Sequence, residues 1–452
     1  MFYMLERFEK NVMNFKKWLF SLKYACFRPA AFGLLSRLRQ SQYWSIDRLE
    51  NWKQENQKKI VLQAFHDSPF YRRLYQNIGF HPGDEEQNGW FERLPLLKKE
   101  DVREFFDEIC VEAFRKHLAV SATGGSTGTP VKFGYDKRVP MEAYGWRMLE
   151  WWGLSSSDDG GYVWRNPRQH FKDQRINEAL WWPTRKIRLD ASSMSEESLT
   201  GFIKQWNYTK PPQLQGYVGA VTELARFIET HRVEFSPPRV VWVTSAPLSS
   251  VQRTLMERVF KSPVYDQYGC CEVPHLAAQC EYGGGLHVNA ERVYMEFVDA
   301  DGNAVADGMW GRTLLTKYDD CVFPLIRYEV GDTGRYLNEK CPCGRTLPLI
   351  DSVKGRVTDM LYLPSGRILS GDYLTTIFDT CPDAVSGFCV VQCKDQSLRV
   401  EYVSAGKPDA HDDVMMVKSL LEEKVAGEVP VRFIEVDHIP HERGKLRFIV
   451  RE

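Results

Sequence analysis

Chemistry in this chain could come from a Gly/Ser/Thr loop, two acidic residues set in glycine-bearing motifs, a lysine near the last residue, and cysteines with a histidine. The loop is Thr123-Gly124-Gly125-Ser126-Thr127-Gly128-Thr129-Pro130. Glycines let backbone N–H groups approach a polyanion closely, and hydroxyls donate further hydrogen bonds. A GxxxxGK[ST] phosphate loop would carry Lys after its last Gly. Thr129 stands there, which excludes that class of NTPase. Taken alone, such a run is equally a solvated turn. Downstream come Ser245-Ala246-Pro247, Tyr268-Gly269-Cys270-Cys271-Glu272, Arg327-Tyr328-Glu329-Val330-Gly331-Asp332, Gly355-Arg356-Val357-Thr358-Asp359 and Gly444-Lys445-Leu446-Arg447. Individually Glu272 reads as a helix-start acid, Asp332 as a turn cap and Lys445 as a solvated lysine. Their fixed order from residue 123 to residue 447 is the signal.

Cys341-Pro342-Cys343-Gly344-Arg345 is a tight Cys-x-Cys turn, with Cys280 and His287 upstream. Three thiolates and an imidazole would complete a closed tetrahedral zinc site. The spacing is not that of a common finger, and the alternative is four free groups in loops. Cys270 and Cys271 read as packing residues, since no His is fixed beside them.

The ordered motifs resemble the adenylate-forming superfamily of acyl-CoA synthetases, peptide-synthetase adenylation domains and luciferases. Within it the chain is most similar to the phenylacetate–CoA ligase branch and to the CapK-like proteins encoded with capsular polysaccharide genes. The segments SPFYRRLYQ (68–76) and ERLPLLKKEDVRE (92–104) and the GGSTGTP wording of the loop carry that likeness. It spans roughly residues 60–452.

The resemblance implies an α/β fold with a large amino-terminal domain (61–356), a small mobile α+β lid (357–452) and a helical extension (1–60). It implies that Ser126, Thr127, Gly128 and Thr129 hold the β- and γ-phosphates of ATP. Ser245, Ala246, Pro247, Tyr268 and Gly269 would surround the adenine, and Glu272 would hold Mg²⁺. Asp332 would accept from the ribose hydroxyls, with Arg356 near the same sugar. Lys445 would reach in between the acyl carboxylate and the α-phosphate. A carboxylate attacking a phosphate brings two anions together, so positive charge is needed where negative charge accumulates. Lysine, a compact charge on a flexible stem, suits that position. Cys/His sets like this chain's also occur in the phenylacetate–CoA ligase branch, so zinc joins ATP, Mg²⁺ and coenzyme A among the expected cofactors.

The chain departs from the family at three places. Thr129 replaces a lysine, Thr358 replaces the acidic hinge residue with Asp359 following, and His441-Glu442-Arg443-Gly444-Lys445 lacks a serine before its glycine. The first two bear on the phosphate grip and on the rotation of the lid. The expected activity is activation of a small carboxylic acid as an acyl-adenylate with release of pyrophosphate, then transfer to coenzyme A. One alternative is transfer to an amine or a sugar hydroxyl. Another, of a different class, is a non-catalytic scaffold at a membrane surface, with residues 1–40 as its anchor. Within the aromatic stretch 144–182, Trp152 and Trp182 are the candidates for an acyl pocket, and Arg165, Arg168 and His170 for polar substrate contacts.

These residues need elements to position them. Alternation around 239–269 predicts a parallel sheet wrapped by helices: strand RVVWVTSAP, a helix over 249–260 and strand SPVYDQYG. Residues 291–336 read as β-rich. The last hundred residues read as a smaller α/β unit with strands FCVVQ, LRVEYVS and VRFIEV and a helix over 411–426, hinged near 355–360. Residues 45–110 read as short helices punctuated by Pro69, Pro82 and Pro95, with Asp101 as a cap. Residues 1–40 form a basic amphipathic pattern, expected to pack on the main domain. A length of 452 residues allows two or three domains. A balance of 59 Lys+Arg against 60 Asp+Glu excludes a general nucleic-acid coat. Aromatics at 13% argue against disorder. No apolar run is long enough for a spanning helix. With no secretory signal and eleven scattered cysteines, the expectation is a reducing cytoplasm.

Overall fold

The computed structural model describes residues 2–122, 131–164, 181–191, 194–353, 360–365, 368–370, 385–404, 410–425, 427–439 and 449–452. The chain divides into two compact units. The first comprises Met1–Asp159, Asp173–Arg185 and Tyr265–Ser352; the second comprises Gly160–Lys172, Lys186–Val264 and Val353–Glu452.

The first unit opens with three helices, α1 (Phe2–Phe27), α2 (Pro29–Ser41) and α3 (Ile46–Asp67). Pro29 sits where its missing N–H costs nothing. Ser45 caps α3, its hydroxyl accepting from the Arg48 amide at 3.2 Å. α3 corrects the expectation of short helices: no proline interrupts it before Pro69, which begins the next helix, Pro69–Gln76. Asp101 takes the Lys98 amide at 2.8 Å, as expected of a cap.

The amino-terminal helices pack within this unit. Phe20, Leu34, Leu35 and Leu38 form a core with Tyr144 and Trp146 of the helix Glu142–Trp151. The Phe20 and Tyr24 rings stand edge-on to Trp146 at 5.6 and 4.9 Å. Beneath them Arg147, 0% exposed, is paired with the buried Glu291 at 2.6 Å.

Strands Val293–Val298, Gly311–Lys317 and Tyr328–Gly334 form an antiparallel sheet with a bulge between Arg312 and Leu314. Ala277–Gln279, Leu286–Val288, Leu349–Ile350 and Tyr336–Leu337 pair antiparallel in that order. Leu118–Ala122 and Lys132–Asp136 pair antiparallel on either side of the Gly/Ser/Thr loop.

In the second unit the expected parallel sheet is present. Strands run Lys186–Asp190, Gly160–Trp164, Gln213–Tyr217, Val240–Thr244. All five residues of Val240–Thr244 are buried, which explains its unbroken apolar run. Helices Glu196–Thr209, Val218–His231 and Ser250–Phe260 supply the apolar faces. A Cβ at Gly161 would collide with the buried Trp206 ring, so this strand needs glycine there.

The carboxy-terminal sheet has the order Val431–Glu435, Leu398–Ser404, Val385–Gln392, Ile449–Arg451. The central pair is antiparallel, and both outer strands pair parallel with their neighbours. The helix Ala410–Val425 buries Val414, Val417 and Leu421 against Val390, Val400 and Ile449. No helix among the described residues is long and apolar enough to cross a membrane.

Candidate active site

Tyr268 ends the strand Val264–Tyr268, and the chain then turns sharply. The Cys270 amide donates to the Val273 carbonyl at 3.2 Å, and the Val273 amide to the Cys270 sulfur at 3.4 Å. Gly269 leaves no room for a side chain, since a Cβ there would stand 3.0 Å from the His275 amide nitrogen. This turn presents the buried Glu272 to Tyr328, whose hydroxyl donates to Glu272 Oε1 at 2.9 Å. Phe133 packs edge-on against Tyr328 at 5.5 Å and limits its swing.

The RYEVGD motif returns the contact. Tyr268 donates its hydroxyl to Asp332 Oδ2 at 2.7 Å. Burial, reinforced by the Asp332 charge, pushes the Tyr268 phenol well above its ordinary value, so it stays a donor. The two motifs are therefore cross-linked. Each lends a tyrosine to the other's carboxylate, which fixes the two carboxylates relative to one another.

The strand carrying Asp332 is held from behind by the segment 92–104. The Leu97 amide donates to the Arg327 carbonyl at 3.1 Å, and the Glu329 amide to the Leu97 carbonyl at 2.9 Å. Arg327, buried and at φ 48°, donates to the Leu94 carbonyl at 2.6 Å and pairs with Glu296. Burial lifts the Glu296 carboxyl to about 7, against the pull of Arg327. Lys99 donates to the Val330 carbonyl at 2.6 Å, and Gly331, at φ 90°, keeps the space beside that ammonium open. Sequence reading did not find Lys99, Arg327 or Tyr328 as positioning residues. All three lie inside segments it singled out, but which atoms they grip is a tertiary fact.

In the second unit, Ser245-Ala246-Pro247 follows the buried strand Val240–Thr244. Ser245 sits at φ 77°, a sparsely populated conformation for serine that recurs at ligand-binding turns. Ser126, Thr127, Gly128, Thr129, Arg356 and Lys445 lie outside the described residues, as do Arg165, Arg168, His170 and the hinge at 355–359. Trp152 is a core residue. It stacks on Tyr265 at 5.3 Å and donates its indole N–H to the Gln279 carbonyl at 2.9 Å. Trp182 is exposed. Of the two indoles expected at an acyl pocket, one is packed in the core and the other faces solvent.

The Cys/His set converges. Ala278 pairs with His287 in the antiparallel register, so Cys280 at the strand's end lies beside the imidazole. The turn Cys341–Gly344, with Gly344 at φ 75°, brings the other two thiols. Cys280 Sγ lies 3.5 Å from Cys341 Sγ, and Cys343 Sγ lies 3.3 Å from His287 Nε2. One ligand atom from each of the four residues falls within 4.8 Å of the others. A tetrahedral zinc with Zn–S of about 2.3 Å requires edges of roughly 3.8 Å, so the donor set fits such an ion.

His287 Nδ1 faces the Leu347 carbonyl at 3.4 Å, and burial pulls the ring down to about 4. The imidazole is then neutral, with Nε2 turned to the thiols, the form a metal ligand needs. Burial pushes the Cys280 thiol up to about 12 and raises Cys341. Cys343 feels the same burial, but the Arg345 amide, Cys341 and the Arg345 guanidinium outweigh it and hold Cys343 below its ordinary value.

The mixed α/β architecture that carries these residues is the fold of the adenylate-forming enzymes. 2-Hydroxyisobutyryl-CoA ligase, solved with an acyl-AMP in its postadenylation state, superposes with a TM-score of 0.76 over 92% of this chain and 91% of its own, at 18% identity. The amide bond synthetase of Marinactinospora thermotolerans does so with a TM-score of 0.52 over 73% and 67%, at 15% identity. In sequence the chain is similar to CapK and to the phenylacetate–CoA ligases. Residues 361–452 match the family model of the CapK C-terminal domain. Protein CapK of Staphylococcus aureus is 24% identical over 443 residues, 92% of this chain and 93% of that protein. Phenylacetate-coenzyme A ligase of Escherichia coli K12 is 26% identical over 337 residues, covering 71% and 74%.

Proposed function

We propose that the chain is an AMP-forming ligase that activates a small carboxylic acid as its acyl-adenylate and then passes the acyl group to coenzyme A. The observation that carries this reading is the crossed pairing of Tyr268 with Asp332 and Tyr328 with Glu272. A nucleotide reaction of this kind needs one carboxylate for Mg²⁺ and another for the ribose hydroxyls, held at a fixed separation. Ser126, Thr127, Gly128 and Thr129 would grip the β- and γ-phosphates. Ser245, Ala246, Pro247 and Gly269 would border the adenine, Arg356 the ribose, and Lys445 the reacting oxygens. Residues 61–356 would form the large body and 357–452 a lid that carries Lys445. ATP and Mg²⁺ are the required cofactors, and a cytoplasmic setting suits both the ATP supply and the thiols.

Acid-dependent exchange of pyrophosphate into ATP, screened over a carboxylic-acid library, tests the first half-reaction. Hydroxylamine trapping with and without coenzyme A, and with amines, tests the second. Exchange with no acid in the library would count against the reading. An amine as acceptor is the second reading, supported by the likeness to an amide bond synthetase and by the departures at Thr129 and Thr358.

We infer further that Cys280, His287, Cys341 and Cys343 hold one structural zinc. Protein purified without chelator is expected to carry about one zinc per chain by plasma emission spectroscopy, and Cys343→Ser to lose it. An ion present at a thousandfold its dissociation constant stabilises the folded state by about 4 kcal/mol. Chelation should therefore lower the melting temperature of the wild type and leave Cys343→Ser unmoved. Metal-free wild-type protein with an unchanged melting temperature would refute the site.

A further inference from the structure

Helix α1 carries apolar residues on two opposite faces. Phe20 and Tyr24 point into the first unit against Trp146. Phe15, Trp18 and Leu22, one helical stripe on the other side, are 59%, 57% and 49% exposed. Phe15 and Trp18 stack on each other at 5.9 Å in the open. Trp182, 56% exposed, is tied beside the same helix: the Lys23 ammonium donates to its carbonyl at 2.7 Å.

The charge around the patch identifies the occupant. Residues 15–27 hold Lys16, Lys17 and Lys23 and no acidic residue, a net charge of +3, in a chain whose net charge is −1. Lys17 is exposed, and Lys16 is anchored by Asp159 at 2.6 Å, which holds the helix in this rotation. A second copy of the chain would set +3 against +3. An anionic lipid surface answers both features, since it accepts the aromatic stripe at the headgroup level and neutralises the lysines. The inward stripe gives the helix a firm seat, so the outward stripe is presented rather than free to fold back.

We propose that the exposed stripe of α1 forms a peripheral membrane-binding face that seats this protein, by its first unit, on an anionic bilayer. This rests on the exposed stripe and its charge and not on the ligase reading. The test is flotation of the full chain with vesicles of phosphatidylcholine containing 30% phosphatidylglycerol, against vesicles of phosphatidylcholine alone (~30% is a working composition in the range where surface charge is felt). The protein is expected to float with the anionic vesicles, less with the neutral ones, and less as salt screens the attraction.

The triple variant Phe15→Ser/Trp18→Ser/Leu22→Ser is expected to lose at least about tenfold in partitioning. It should retain the wild-type melting temperature, because none of the three side chains is in the core. Absence of flotation by the wild type would overturn the proposal. So would equal flotation by the triple variant, or a wild-type dimer in sedimentation equilibrium that the triple variant abolishes while flotation is unchanged. The last result would make a second copy the occupant.

Discussion

Lys445→Ala is expected to lower acid-dependent pyrophosphate exchange by about two to three orders of magnitude while nucleotide binding persists. In the proposed reaction the attacking carboxylate and the α-phosphate are both anionic, and their charge concentrates on the oxygens between them. A single ammonium aimed at that point acts on the transition state and little on the bound nucleotide, because the proposed adenine, ribose and Mg²⁺ contacts come from elsewhere in the chain. The loss corresponds to about 2.7–4 kcal/mol of transition-state stabilisation. ATP affinity measured by calorimetry should change far less than the exchange rate. Near-normal exchange by this variant would remove Lys445 from the chemistry. Loss of ATP binding in parallel with exchange would make it a binding residue instead.

Arg147→Met is expected to destabilise the first unit by about 3–5 kcal/mol, the usual cost of stranding one partner of a buried ion pair. Arg147 lies beneath the packed amino-terminal helices. It donates to Glu291 and Asn289 and, at 3.2 Å, to the Leu38 carbonyl of α2. Ser41 of α2 donates to the same Glu291 carboxylate. Removing the guanidinium leaves a buried, unpaired negative charge where α2 meets the helix Glu142–Trp151. The check is the urea midpoint, together with that of Arg147→Met/Glu291→Met. The double variant removes both charges and should lose less than the two single variants combined. Strict additivity would mean that the pair is not coupled.

Much of this was legible in the chain itself. Val240–Thr244 announced a buried strand because five consecutive apolar or β-branched residues leave no face for water. The carboxy-terminal strands and the helix Ala410–Val425 follow their periodicities closely. Cys280, His287, Cys341 and Cys343 were recognisable as a set because few residue types can ligate zinc. Their convergence, however, depends on the register that places Ala278 opposite His287. What could not be read was pairing between distant motifs. Nothing local in Tyr328 says that its hydroxyl reaches Glu272, and nothing local in Leu97 says that its backbone joins that of Arg327 and Glu329. The length of α3 was not legible because Pro69, Pro82 and Pro95 all lie beyond it and mark nothing within it. Trp152 and Trp182 show the same limit: aromatic density marks a packed region without saying which ring ends inside it.

The arrangement of the last sheet sets a tether. Val431–Glu435 and Ile449–Arg451 occupy its two opposite edges, about three strand spacings or roughly 14 Å apart. Lys445 stands four residues before the strand that pins the far end, and four residues of chain reach at most ~14 Å from Ile449. Cutting the chain after residue 448 would release that anchor and leave the lysine on a loose tail, even though no residue of its own motif had been touched.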